Sequence, residues 1–296
     1  MIRPRRLLLR LARSDRYTSR MARLLCVLAL LPLVLLGPAK AAELTVEDGF
    51  RSTALRGELR FAIYLPASYG ATGRRYPVIY FLHGLPASAY AYRTSGFLSQ
   101  ALEAAGREAI VVAPQGARPG DTDPEYLNWG PGRGWATAIA SELPRYVDVH
   151  YRTIATRAGR ALVGLSAGGY GAVNLALHHL ESFSVVESWS GYFHPTDPSG
   201  THALSLGSAA AATAASAHTL VPELRLAFER RPTFFAFYVG SGDARFRAEN
   251  ERLDAELRAA HVPHVFRIYP GAHEQSVWRR HASAWLSLAL DHLAER

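Results

Sequence analysis

Cysteine occurs once in the 296 residues, as Cys26 inside an N-terminal leader. The rest of the chain therefore holds no disulfide scaffold, no zinc site built on thiolates and no cysteine nucleophile. An excess of one charge is also missing where it would matter. The formal +8 comes from residues 1–41, which carry nine basic side chains and one acid, Asp15, and leave 24 of each sign in the remainder. A neutral body lacks the surplus of Lys and Arg that displaces counterions from phosphates, so nucleic acid is excluded as a partner. The apolar run Leu24–Leu36 has 13 residues, short of the roughly 20 that cross a hydrocarbon core. Disorder is excluded for the bulk of the chain by 49% hydrophobic and 20% charged residues.

Residues 1–41 read as a signal peptide or export leader. Arginines precede the apolar run, Gly37-Pro38 breaks it, and Ala39-Lys40-Ala41 forms a cleavage site of the A-x-A kind. Met21 would open a compact signal by itself. The expected location is secreted or extracytoplasmic, with no stable membrane span after cleavage, and residues 42–296 form one domain.

In that domain short apolar runs alternate with helical segments, the pattern of an α/β fold whose mostly parallel sheet is flanked by helices. Strands are predicted at Glu58–Leu65, Tyr76–Leu82, Ala109–Ala113, Ala161–Leu165, Ser184–Trp189, Thr233–Val239 and His264–Tyr269. Helices are predicted at Ala91–Ala105, Trp135–Val149, Gly168–His179, Ala244–Ala260 and Ser276–Ala294, with Arg and Glu of the fourth forming a solvated face. Two segments break the rhythm. Gly116–Gly134 has the composition of a loop over a site, and Gly191–Pro232 passes into an alanine-rich run, either a cap over substrate or an excursion without a task.

Gly164-Leu165-Ser166-Ala167-Gly168 is G-x-S-x-G between a strand and an apolar helix, the context in which a serine oxygen projects above the sheet as a nucleophile. The Ala167 N–H at the helix start would bond a developing oxyanion. A serine hydroxyl needs a histidine base oriented by a carboxylate, and in this fold class the order is Ser, acid, His. His273 follows the strand His264–Tyr269 and a Pro-Gly-Ala turn; Asp243 follows Thr233–Val239 and Gly240-Ser241-Gly242. Asp197 is the reserve acid, and Glu249, Glu251 and Asp254 are read as surface charges. The loop Phe81-Leu82-His83-Gly84-Leu85-Pro86 supplies the second oxyanion donor, the Leu85 N–H, with Gly84 letting the chain turn closely and His83 shaping the loop. His83, Gly84, Asn128 and Trp129 are placed around substrate: Tyr126, Trp129 and Trp135 as apolar contacts, Asn128 to orient an ester oxygen. His178-His179 and His261-Val262-Pro263-His264 lack a carboxylate or cysteine at ligand spacing, so no metal and no cofactor is assigned.

With those residues in place the chain resembles the esterase family of α/β-hydrolases that groups S-formylglutathione hydrolases (esterase D), feruloyl esterases and the antigen 85 mycolyltransferases. The likeness rests on Tyr80-Phe81-Leu82-His83-Gly84, the Gly164–Ala172 elbow, Gly240-Ser241-Gly242-Asp243, and Gly271-Ala272-His273 followed by Trp278-Arg279-Arg280-His281. It implies the α/β-hydrolase fold, the triad Ser166–Asp243–His273 and the oxyanion hole of Leu85 and Ala167. The expected activity is a serine esterase acting on a small-molecule or cell-envelope ester through an acyl-enzyme. Transfer of the acyl group to a sugar or lipid alcohol uses the same residues, although the acid is Asp where the mycolyltransferase branch carries Glu. A non-catalytic binding protein on the same fold is the third reading, disfavoured by the presence of all three triad residue types in order.

Overall fold

The computed structural model describes residues 44–121, 125–197 and 202–295. The leader 1–41 and the boundary after Ala41 lie outside the described residues. Strands run over Leu44–Ser52 (β1), Gly57–Leu65 (β2), Val78–Leu82 (β3), Ile110–Pro114 (β4), Arg160–Leu165 (β5), Val185–Trp189 (β6), Phe234–Gly240 (β7) and His264–Tyr269 (β8). They form one sheet in the order β1-β2-β4-β3-β5-β6-β7-β8. β1, β2 and β4 pair antiparallel in turn, and every pair from β4 to β8 is parallel.

The central strands are apolar without alternation because both faces are covered. Along β3, Val78, Tyr80 and Leu82 enter one core and Ile79 and Phe81 the other. The first core takes the apolar side of the elbow helix Ala167–His178 (α4), and the second packs against Phe97–Ala104 (α1) and Gln275–Asp291 (α9). The remaining helices are Trp135–Thr137 (α2), Leu143–His150 (α3), Ala209–Ala214 (α5), Ala217–Glu223 (α6), Arg225–Arg230 (α7) and Arg247–Ala259 (α8).

Several boundaries differ from the sequence reading for identifiable reasons. β1 is an eighth, unforeseen strand. Val46 and Phe50 point to the core, but Asp48-Gly49 interrupts the apolar alternation, with the Asp48 carboxylate accepting from Tyr151 Oη at 2.8 Å. α8 begins at Arg247 rather than Ala244, since residues 243–244 close a turn through Asp243 N–H to Gly240 C=O and Ala244 N–H to Gly242 C=O. The helix expected over Ala91–Ala105 opens as a 3₁₀ stretch, Ala91–Gly96, and that over Trp135–Val149 contains a π turn at Ala138–Glu142. Within Gly191–Pro232 the alanine run is α5, capped by Ser208 Oγ accepting from Ala211 N–H, and α6 and α7 follow.

Candidate active site

Ser166 sits between β5 and α4 at φ 54°, ψ −121°. A non-glycine residue there stores on the order of 1–3 kcal/mol of strain, held by the Ser166 N–H bond to Trp189 C=O at 2.8 Å on the neighbouring strand end. The flanking glycines are dictated by close backbone approach. A Cβ on Gly164 would lie 2.0 Å from the Gly168 carbonyl oxygen, and one on Gly168 1.9 Å from that of Leu82.

His273 and Asp243 come from adjacent strand ends that are bonded to each other. After β7 and β8, Ser241 N–H donates to Tyr269 C=O at 2.7 Å and Gly242 N–H to Gly271 C=O at 2.8 Å. This brings His273 Nδ1 to 2.8 Å from Asp243 Oδ2 and His273 Nε2 to 2.9 Å from Ser166 Oγ. Asp243 is buried and His273 half-buried, with the imidazole held edge-on by Phe246 and Trp278 at centroid distances of 5.2 and 5.1 Å. Trp278 is itself pinned by its indole N–H bond to Ser190 Oγ at 3.0 Å. A nucleophile, base and orienting acid within hydrogen-bond reach form the arrangement that activates a serine.

The loop after β3 passes directly over the elbow: a Cβ on Gly84 would lie 3.0 Å from Ser166 Cβ. Leu85 packs with Ala167, Tyr170 and Trp129 in a small apolar cluster beside the serine. His83 is buried, so it shapes this loop rather than meeting a substrate; Nδ1 bonds the Gly84 carbonyl at 2.9 Å, and Tyr126 Oη donates to the His83 carbonyl at 2.6 Å.

The structure places the other expected residues as follows. Asn128 has both ends of its amide bonded to Thr137, donating to Oγ1 at 3.0 Å and accepting from the backbone N–H at 3.2 Å, which tethers its loop to α2. Trp135 is fully buried in the sheet core and Tyr126 is buried under the loop, leaving Trp129 as the aromatic with a half-buried face. Asn128 and Trp129 line a cavity of about 510 Å³ that runs along the C-terminal half of α4, past Asn174 and His178 to α5, and Ser166 is not among its lining residues. Asp197, the reserve acid, bonds His202 instead of the triad histidine.

Residues 52–286 match the protein family described as "Putative esterase". The chain belongs to this esterase family. An esterase of Mycobacterium tuberculosis is 34% identical over 143 residues, 48% of this chain, so the match spans about a third (31%) of that relative's length. The MPT51 antigen of Mycobacterium leprae is 31% identical over 201 residues, covering 64% of this chain and 62% of that protein. Among solved structures, a ferulic acid esterase superposes with a TM-score of 0.69 at 23% identity over 85% of this chain and 99% of its own. An S-formylglutathione hydrolase from Agrobacterium tumefaciens gives 0.71 at 20% identity, over 87% and 98%. The esterase-family fold is thus the α/β-hydrolase fold expected from the sequence. Among the described residues no helix is long and apolar enough to cross a membrane.

The sequence reading missed one group altogether. Glu249, read as a surface charge, is partly buried and accepts from both His194 and His218. The three lie 24 and 31 residues apart, so no local spacing could announce them.

Proposed function

We propose that the protein is an exported serine esterase that hydrolyses carboxylic esters, with Ser166 as nucleophile, His273 as general base and acid, and Asp243 as the orienting carboxylate. The observation that carries this reading is the pair of bonds at 2.8 and 2.9 Å that run from Asp243 through His273 to Ser166 Oγ on a strained turn. Membership in the esterase family supports it.

In this mechanism Ser166 Oγ attacks the ester carbonyl while its proton passes to His273 Nε2. The carbonyl oxygen becomes an oxyanion between the Leu85 and Ala167 N–H groups, the second of which opens α4, where the helix end favours negative charge. Collapse breaks the ester C–O bond, His273 returns the proton to the leaving alkoxide, and an acyl ester remains on Ser166. His273 then takes a proton from water, whose oxygen attacks the acyl carbon; the second tetrahedral species releases the acid and restores Ser166. The imidazolium formed at each step is stabilised by the buried Asp243 carboxylate on Nδ1. The partly exposed Leu85, Trp129 and Leu206 of the apolar cluster around Ala167 would receive the acyl portion.

A fluorophosphonate probe should label Ser166, as located by peptide mass spectrometry, and Ser166→Ala should lose both labelling and ester turnover. Label on another serine, or turnover retained in the variant, overturns the assignment. Turnover of esters of varied acyl length with and without added alcohols separates water from an alcohol as acyl acceptor.

A further inference from the structure

Outside the Ser166–Asp243–His273 set, three parts of the chain converge on one carboxylate oxygen. His194 lies in the loop after β6, His218 on α6 of the insertion and Glu249 in the first turn of α8. His194 Nδ1 is 2.7 Å and His218 Nε2 2.9 Å from Glu249 Oε2, and the three atoms lie within 4.8 Å of one another. Among the described residues this is the one set of three His, Cys, Asp or Glu side chains so arranged.

We infer that His194, His218 and Glu249 form a binding site for one divalent transition-metal ion, zinc being the ion that fits best, which clamps the insertion to α8 and to the loop after β6. Two imidazoles with one carboxylate and a water in the fourth position suit Zn²⁺, whereas Ca²⁺ and Mg²⁺ require oxygen donors.

The surroundings of the cluster have the form of a metal site and exceed what an ion pair needs. His218 is deeply buried, with 3% of its side chain exposed, and its other nitrogen, Nδ1, lies 2.6 Å from Glu256 Oε2. An outer carboxylate on the far nitrogen of a histidine fixes the tautomer that leaves Nε2 free to ligate. Glu256 is in turn held by Arg252 Nε at 2.8 Å, four residues back along the helix. His194 has 43% of its side chain exposed, which provides an entry path and room for a water ligand.

The present separations of 2.7 and 2.9 Å are those of N–H···O bonds, with protons standing where the ion would sit. Ligand atoms about 2.0–2.1 Å from a tetrahedral ion lie about 3.3 Å apart, so loading replaces the two short His–Glu contacts by a wider triangle of the three ligand atoms, which already lie within 4.8 Å of one another.

The clamp would act on the wall of the active site. Two residues before His194, Tyr192 packs on Phe246 with centroids 4.9 Å apart, and Phe246 in turn meets the His273 ring.

The test uses untagged, chelator-treated protein titrated with Co²⁺ and with Zn²⁺. One equivalent of Co²⁺ should give the intense visible absorption of a tetrahedral site. Zn²⁺ should displace it and raise Tm by about 5–10 °C at a hundredfold excess over Kd. His194→Ala, at an exposed position that leaves the fold intact, and Glu249→Gln should each weaken Co²⁺ binding at least tenfold. The inference is overturned if the wild type shows neither the absorption nor the Tm shift. It is equally overturned if both variants bind with wild-type affinity, which would assign the ion to another histidine pair. If Glu249→Gln lowers Tm while metal has no effect on the wild type, the cluster is an ion-pair bolt and the metal site is refuted.

Discussion

The His83 imidazole N–H is bonded to the carbonyl of Gly84, 2.9 Å away. Because the carbonyl and N–H of one planar peptide unit point in opposite directions, fixing the Gly84 oxygen toward His83 aims the Leu85 N–H away from it. The serine lies under this loop, in contact distance of Gly84.

Replacing His83 by Ala should therefore lower kcat about 10- to 100-fold while leaving KM nearly unchanged, the signature of a donor that matters only when the oxyanion forms. Steady-state kinetics on one good ester substrate decide it. A rise in KM with kcat intact would mean that His83 serves ground-state binding instead.

His273 and Asp243 should behave as one unit. His273→Ala should reduce kcat by about 10⁴-fold, and adding Asp243→Ala to that variant should do little more, since the acid acts only through the base it orients. A double-mutant cycle measures this directly, and independent multiplicative losses would detach one residue from the triad.

Trp129→Ala should change the ratio of kcat/KM between short and bulky acyl esters by more than about tenfold, because it removes an aromatic contact from the cluster beside Ala167. Equal losses on all substrates together with a lower Tm would place Trp129 in the structural wall of the α4 cavity.

Glu187, fully buried on β6, has its carboxyl pushed up to about 8 by burial, which the hydrogen bonds from Trp189 Nε1 at 3.1 Å and Tyr238 Oη at 3.3 Å only partly offset. The folded protein keeps the proton up to that pH, whereas the unfolded chain releases it near 4.5. The unfolded state thus binds fewer protons between these values, and stability falls as pH rises through that window. Glu187→Gln, a neutral isostere, should be more stable than the wild type at pH 8 and lose that advantage by about pH 5. Denaturant melts at the two pH values check it; an advantage of equal size at both would show that ionisation of Glu187 is not its source.

The Ser166–Asp243–His273 cluster is legible in the sequence because each member sits at a strand end announced by its own turn: Gly164–Gly168, Gly240–Gly242 and Gly271. Strand-end chemistry depends on local sequence, and so do strands buried on both faces such as β3. What escaped depends on tertiary partners. β1 holds its mid-strand Asp48 through hydroxyls about a hundred residues downstream, Tyr146 and Tyr151. The alanine run of α5 has no polar face to set a period. The composition of the loop around Asn128 suits a site, while only the fold reveals that Thr137 bonds both ends of the Asn128 amide. The convergence of His194, His218 and Glu249 is likewise invisible until β6, the insertion and α8 are folded together.

The placement of His273 in the turn directly after β8 fixes the order in which the protein fails. β8 is the last strand of the sheet, bonded to β7 on one side only and half open to solvent, while β5 and the elbow lie at the centre. Strands with few buried contacts open at lower free energy than the global transition. Peeling β8 from β7 would carry away His273 and with it the proton acceptor, yet leave Ser166 seated on an intact turn. In mild denaturant esterase activity should therefore vanish while circular dichroism still reports a folded sheet, and it should return on dilution without refolding of the core.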